Sequence, residues 1–208
     1  MKWKRSIEDK ILNYLSSSLV NFLSSINVKP IHLTFSSFIL ALLSSILYYF
    51  SRDISILFYF AGLSLLLSGL LDALDGAVAR RKKMESISGA FLDSTLDKIG
   101  ESAIFISLTS AEVVTPLWGT AALASSILVS YTRSRAESLG VDLKGVGLME
   151  RAERIILISI ASFIEPSIKG SLNIALIILT LLSLITITHR IIYSVKRFKN
   201  IEAQSSNL

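Results

Sequence analysis

Cysteine is absent from the 208-residue chain, and histidine occurs only twice. Without cysteine the protein forms no disulfide and offers no thiolate to a metal ion. The two histidines, His32 and His189, are far apart in the sequence, which argues against a zinc site. Charged residues are also scarce, at 18% of the chain, whereas 51% of the residues are hydrophobic. This balance indicates a membrane protein rather than a soluble domain.

Long uncharged runs predict six membrane-spanning helices. A helix needs about 20 predominantly apolar residues to cross a bilayer. Four uncharged runs come close to this length: 31–50, 54–71, 113–132 and 170–189. Two weaker candidates, 87–110 and 148–164, carry charged residues near one end. Because charges inside a span are costly, we interpret the two weak spans as functional.

Basic residues are concentrated on one side of the predicted bundle. With six spans both termini share a side, and the opposite loops contain only Arg52 and Lys169. This asymmetry predicts a multi-pass protein of the cell membrane whose termini and charged helix ends are cytoplasmic. The net charge of +5 is then accounted for by topology and phosphate contacts, and we expect no nucleic-acid partner.

The whole chain, residues 1–208, is predicted to form a single membrane domain. Residues 1–28 contain apolar side chains at helical spacing between charges, which favours an amphipathic segment on the membrane surface over a solvated leader. Residues 30–194 form the bundle, and residues 195–208 form a polar tail whose end, IEAQSSNL, we expect to be disordered. The predicted fold class is an all-α integral membrane protein, with six transmembrane helices preceded by an N-terminal amphipathic surface helix.

Four aspartates lie in the stretch 72–97, which reads DALDGAVARRKKMESISGAFLDSTLD. Asp72 and Asp75 are three residues apart and Asp93 and Asp97 are four apart, so each pair shares one face of its helix. The short loop predicts that the two helices are antiparallel neighbours, with both pairs at their cytoplasmic ends. Four close carboxylates need counter-charge, which two divalent cations would supply while holding a phosphate. Oxygen ligands favour Mg²⁺ or Mn²⁺.

Small and basic residues between the aspartates fit a phosphate ligand. Gly76 and Gly89 let the backbone approach a ligand closely. Arg80, one turn after Gly76, is placed to neutralise a diphosphate. The alternative is that the aspartates form intramembrane salt bridges with residues 80–83 and with Lys98.

The same stretch reads D-x₂-D-G-x₂-A-R-x₈-G-x₃-D-x₃-D from Asp72 to Asp97. It resembles the signature of the CDP-alcohol phosphotransferase family, every fixed position of which is filled here. The resemblance implies a membrane enzyme of phospholipid biosynthesis that displaces CMP from a CDP-linked lipid with an alcohol acceptor. It also implies a homodimer.

The resemblance implies a role for each matching residue. Asp72, Asp75 and Asp93 would hold the metal ions, and Asp97 would contact the second ion and act as general base on the acceptor hydroxyl. The CDP-linked lipid would contact a further set of residues: Ile31, His32, Leu33, Thr34, Gly76, Arg80 and Ser86. Residues 30–34, PIHLT, resemble the family's cytidine-binding motif, although Ile31 replaces its usual polar residue.

Arginines after the fourth span point to a phosphorylated acceptor. A phosphate monoester carries a charge of roughly −1.5 to −2 and needs several cations around it. Five arginines are predicted at the cytoplasmic mouth: Arg133, Arg135, Arg151, Arg154 and Arg190. The patterns around them, RSRAE and GLMERAER, resemble the branch of phosphatidylinositol-phosphate and archaetidylinositol-phosphate synthases. The alternative is that each arginine is an ordinary cytoplasmic anchor.

Rival functions remain open at this stage. The same chemistry with glycerol 3-phosphate, or with CDP-inositol as donor, uses the same aspartates. A small ion carrier or channel is a rival of a different class. The aspartates near one membrane face, with no second acidic ring in the later spans, argue against a carrier.

Overall fold

The computed structural model describes residues 29–205 apart from residue 144, and the regular structure of these residues is entirely helical. Six helices follow one another along the chain: α1 Pro30–Phe50, α2 Leu57–Lys82, α3 Ile87–Ser110, α4 Pro116–Ser138, α5 Arg151–Ile164 and α6 Ser171–Ser205. The predicted all-α class with six helices is confirmed. The predicted surface helix within residues 1–28 lies outside the described residues.

The helices form a closed ring in which each packs against two others. The order around the ring is α1, α2, α5, α6, α4 and α3. Three helices, α1, α2 and α6, are long and apolar enough to cross a membrane. Large apolar side chains such as Ile39, Ile46 and Phe60 are exposed on the surface of the ring, as expected of a protein surrounded by lipid.

Serine side chains join α1 to its two neighbours. Ser37 and Ser68 each donate a hydrogen bond to the other's backbone carbonyl at 2.9 Å, which ties α1 to α2. On the other side of α1, Ser45 donates to the carbonyl of Ala103 in α3 at 2.9 Å. Small polar residues let helices approach closely in lipid, where van der Waals packing and hydrogen bonds replace the hydrophobic effect. Helix α1 therefore positions both α2 and α3.

The predicted neighbours α2 and α3 meet through side chains and not through closely packed backbones. In the described residues their backbones do not approach closely and α1 packs against both, yet Asp72 and Asp75 of α2 and Asp93 of α3 bring carboxylate oxygens within 4.8 Å of one another. The connecting turn is short but does not force the backbones together, and each helix packs on the serine-containing face of α1. The gap that remains between the ends of α2 and α3 is where the aspartates lie.

Helix α5 is short, and a buried carboxylate joins its end to α6. Its 14 residues span about 21 Å at 1.5 Å per residue, less than the roughly 30 Å of a bilayer core. At its C-terminal end Glu165 is only 6% exposed. Glu165 accepts hydrogen bonds from the backbone of Gly170 and Leu172, both at 2.7 Å, and from the Ser171 hydroxyl at 2.8 Å.

Helix α6 continues through most of the predicted tail. It runs for 35 residues to Ser205, so the expected disorder is wrong for residues 201–205. The extension packs Tyr193 and Phe198 against a cluster of Ala136, Val141 and Leu143 at the end of α4. This packing favours helix over coil in the polar tail.

Replacing Glu165 tests the junction of α5 and α6. Glu165→Ala leaves two buried backbone N–H groups without an acceptor, and we expect it to lower the free energy of unfolding by about 2 kcal/mol. Glu165→Gln keeps one acceptor oxygen and should have an intermediate effect. Thermal unfolding in detergent measures both variants. An alanine variant as stable as the wild type would contradict this account.

Candidate active site

The turn between α2 and α3 is closed by local hydrogen bonds. Lys83 ends α2 with a left-handed backbone, φ 53°, and the Met84 backbone N–H donates to the Ala79 carbonyl at 2.9 Å. The Ser86 hydroxyl then caps α3 by accepting from the Gly89 backbone N–H at 3.0 Å. These contacts set where α3 begins and therefore where its aspartates lie.

Three of the four aspartates converge. Asp72, Asp75 and Asp93 each place one carboxylate oxygen within 4.8 Å of the others. Asp75 is 6% exposed and accepts a hydrogen bond from the Thr34 hydroxyl of α1 at 2.8 Å. One oxygen of Asp93, Oδ1, is buried and lacks a hydrogen-bond partner in the described structure. This set of oxygen donors, one of them unpaired, fits a divalent cation such as Mg²⁺ or Mn²⁺.

Asp97 is linked to this group through an arginine. Arg151, the first residue of α5, places Nη1 2.5 Å from Oδ2 of Asp72 and Nη2 2.7 Å from Oδ1 of Asp97. The prediction that all four aspartates converge is therefore met directly by three of them. The salt-bridge alternative named residues 80–83 and Lys98 as partners, whereas the cation that contacts Asp72 and Asp97 is Arg151 and Lys98 pairs with Glu101 at 3.1 Å.

A cavity of about 490 Å³ adjoins the carboxylates, between the start of α1, the end of α2 and the start of α3. Its lining includes Asp75, Asp93 and five of the residues predicted to contact the CDP-linked lipid, which are Ile31, Thr34, Gly76, Arg80 and Ser86. The other two lie elsewhere. His32 is exposed, and the Leu33 side chain is buried in a small core with Leu74 and Val78.

Gly76 is where the Arg80 side chain approaches the backbone of α2. A Cβ atom at Gly76 would lie 3.3 Å from Nη1 of Arg80. The guanidinium therefore folds back along its own helix toward the cavity. A larger residue at position 76 would push this cation away.

The five predicted acceptor arginines have different surroundings. Arg133 pairs with Glu137 at 2.8 Å, and Arg135 is exposed near the end of α4. Arg154 is 1% exposed and Arg190 is 2% exposed. Arg190 donates to the carbonyls of Val146 at 2.7 Å and Val129 at 2.5 Å. Arg190 therefore joins α6 to the α4–α5 connection.

Glu101 has a structural contact that sequence reasoning missed. Its carboxylate accepts from Nε of Arg154 at 2.6 Å and from Nη2 of Arg154 at 3.1 Å. Asp97 and Glu101 are four residues apart on α3, while Arg151 and Arg154 are three apart on α5, so two ion pairs lie one above the other. The sequence shows the spacing of these residues along each helix, but it does not show that α3 and α5 place them opposite one another.

With this geometry established, comparison with known proteins identifies the class. The profile of the CDP-alcohol phosphatidyltransferase family matches residues 27–195. The chain belongs to this family, whose members are integral membrane enzymes.

Individual relatives carry more specific names. Archaetidylinositol phosphate synthase from Methanothermobacter thermautotrophicus is 44% identical over 64% of this chain and 68% of its own length. The synthase of the same name from Pyrococcus horikoshii is 35% identical over 85% of this chain and 89% of its own length. Phosphatidylinositol phosphate synthase from Streptomyces avermitilis is 36% identical over 58% of this chain and 55% of its own length.

Solved structures share the fold. A crystal structure of phosphatidylinositol phosphate synthase from Mycobacterium tuberculosis with CDP-DAG bound has a TM-score of 0.71 at 22% identity, covering 87% of this chain and 94% of that one. A second structure of that enzyme, in complex with manganese and citrate, has a TM-score of 0.73 at 23% identity, covering 86% of this chain and 88% of that one.

The Glu101–Arg154 pair is predicted to stabilise the site. Glu101→Gln leaves the buried Arg154 guanidinium without its full counter-charge, and we expect a loss of about 3 kcal/mol in the free energy of unfolding. The matched control is Glu112→Gln, which breaks an exposed pair with Arg52 and should cost less than about 1 kcal/mol. Thermal unfolding in detergent compares them. Equal effects would show that burial does not strengthen this pair.

Proposed function

We propose that the protein transfers a diradylglycerol phosphate group from a CDP-linked lipid to inositol 1-phosphate and releases CMP. The observation that carries this proposal is the group of three carboxylates, two of which line a cavity that also includes Gly76 and Arg80. The names of the archaetidylinositol phosphate synthases support the acceptor.

The reaction assigns distinct tasks to the residues of the site. The acceptor hydroxyl oxygen attacks the phosphorus that carries the lipid, the bond from that phosphorus to the CMP oxygen breaks, and Asp97 takes the hydroxyl proton. Asp72, Asp75 and Asp93 would hold divalent ions, with Asp97 beside the second. Two Mg²⁺ or Mn²⁺ ions would stabilise negative charge on the phosphates. Ile31, Thr34, Gly76, Arg80 and Ser86, which line the cavity, would contact the CDP portion, whereas the side chains of His32 and Leu33 lie outside it.

The acceptor phosphate is assigned to the arginines around the α4–α5 connection. Arg133 and Arg135 near the end of α4 and Arg151 at the start of α5 are the more exposed of the five, whereas Arg154 and Arg190 are buried. We therefore give the first three the direct contacts. Arg154 and Arg190 add positive charge behind them.

The proposed enzyme is a homodimer of the cell membrane with its active site on the cytoplasmic side. The excess of lysine and arginine at the aspartate end of the bundle supports a cytoplasmic active site and cytoplasmic termini in the cell membrane. The family resemblance supports a homodimer.

Asp97 is predicted to be essential for turnover. Asp97→Asn removes the base, and we expect CMP release to fall about 100-fold or more. The assay uses purified protein in detergent with a CDP-linked lipid, inositol 1-phosphate and Mn²⁺ or Mg²⁺. Asp53→Asn, in the exposed turn between α1 and α2, is the control and should turn over normally. Unchanged turnover of the Asp97 variant would remove the proposed base.

The arginines predict which acceptors are used. Inositol 1-phosphate should release CMP, whereas inositol and serine should not, because they lack the phosphate that offsets the positive charge. A competition assay with labelled CDP-linked lipid includes glycerol 3-phosphate as the rival phosphorylated acceptor. Product from glycerol 3-phosphate and none from inositol 1-phosphate would show that glycerol 3-phosphate is the acceptor. Ion flux in liposomes without any CMP formation would support a carrier.

A further inference from the structure

Arg151 bridges carboxylates that belong to different helices. Its two terminal nitrogens contact Asp72 of α2 at 2.5 Å and Asp97 of α3 at 2.7 Å. The side chain of Arg151 is largely buried but keeps 19% of its surface exposed. A guanidinium between two carboxylates supplies a positive charge at the place where the site needs one.

The contact with Asp72 is close but poorly directed. Nη1 of Arg151 is buried and lacks an aligned hydrogen-bond acceptor in the described structure, although Asp72 lies within ion-pair distance. Arg151 therefore divides its guanidinium between two carboxylates on different helices, and does not make the two parallel hydrogen bonds to one carboxylate that mark the strongest arginine–carboxylate pairs. A cation that binds both carboxylates can take its place.

Arg154, one turn later on α5, is held quite differently. Its Nε and Nη2 both donate to Glu101, Nη1 donates to the Met149 carbonyl at 3.3 Å, and the side chain is 1% exposed. Arg154 anchors α5 opposite α3 whatever Arg151 does. Arg151 is thus free to change partners while its helix stays in place.

We propose that Arg151 is an exchangeable counter-ion: it neutralises Asp72 and Asp97 in the metal-free protein, leaves both when a divalent cation binds, and then contacts the acceptor phosphate. Arg151 has to leave before either carboxylate can donate those oxygens to a cation. The second half of this inference rests on the proposed function, because it requires a phosphorylated acceptor. The first half does not.

The exchange makes cation and acceptor binding cooperative. When an acceptor phosphate binds Arg151, the arginine no longer competes with the cation for Asp72 and Asp97. When a cation binds these aspartates, Arg151 is released and can bind the acceptor phosphate. Coupling of this kind is reciprocal, so each ligand strengthens the other by the same factor.

The affinity for Mn²⁺ tests the exchange without any catalysis. Electron paramagnetic resonance of free Mn²⁺ is measured during titration of the detergent-purified protein, without lipid or acceptor. Arg151→Gln should bind Mn²⁺ about tenfold more tightly than the wild type, because no arginine competes for Asp72 and Asp97. Arg151→Lys keeps the charge but loses the fork that spans two carboxylates, and should show a smaller gain. Arg81→Gln, exposed at the end of α2, controls for net charge and should match the wild type.

Stability in the absence of metal gives a second reading. In EDTA, Arg151→Gln should unfold at a lower temperature than the wild type, since Asp72 and Asp97 lose their counter-charge. Mn²⁺ should raise its melting temperature by more than it raises that of the wild type. Arg151→Gln should therefore be less stable than the wild type without metal and yet be stabilised more strongly by Mn²⁺. A simple loss of packing would lower the stability without strengthening the response to Mn²⁺.

The outcomes separate this inference from the proposed function. Unchanged or weaker Mn²⁺ binding by Arg151→Gln would overturn the exchange even if the protein makes the inositol lipid. An affinity of Arg151→Lys equal to that of the wild type, with tight binding by Arg151→Gln, would also overturn it, because net charge alone would then explain the data. Tighter Mn²⁺ binding by both variants would support the exchange even if the acceptor proves to be glycerol 3-phosphate. If inositol 1-phosphate does not raise the Mn²⁺ affinity of the wild type, the acceptor half is wrong.

Discussion

Negative charge held within a membrane bundle has to be balanced, and much of this structure follows from that requirement. Asp72, Asp75, Asp93 and Asp97 would repel one another if nothing lay between them. Arg151 supplies part of the balance from α5. The remainder fits a divalent cation at the three converging oxygens. Charge balance therefore connects the placement of α5 to the chemistry of α2 and α3.

The packing of α1 creates the space in which this chemistry takes place. Ser37 ties α1 to α2 and Ser45 ties it to α3, so a third helix holds both aspartate helices in place. The cavity between them is where a CDP-linked lipid fits. Thr34, on the same face of α1, donates to Asp75 and so couples the scaffold to the carboxylates directly.

Two predictions are met only in part, for the same physical reason. That α2 and α3 are antiparallel neighbours and that four carboxylates meet at one point were both inferred from the short loop and from helical spacing, whereas three carboxylates converge and α1 packs between the two helices. A short loop limits the separation of helix ends but does not choose a packing partner. The serine face of α1 and the arginines of α5 decided the partners, and both are remote in sequence. The helical tail is a similar case, because Phe198 gains a packing surface at the end of α4 that no local pattern reveals.

The sequence by itself determined the helical class, the number of helices, the family and the identity of the aspartates, because apolar run length, helical spacing and a filled signature are local properties. Only the tertiary structure decided which helices touch, which oxygens converge, and that Arg151 and Arg154 face Asp97 and Glu101 across the bundle. The ion pairs of Arg151 with Asp97 and of Arg154 with Glu101 join residues more than 50 positions apart. Their geometry depends on side-chain packing and charge balance among helices, which a linear pattern does not contain.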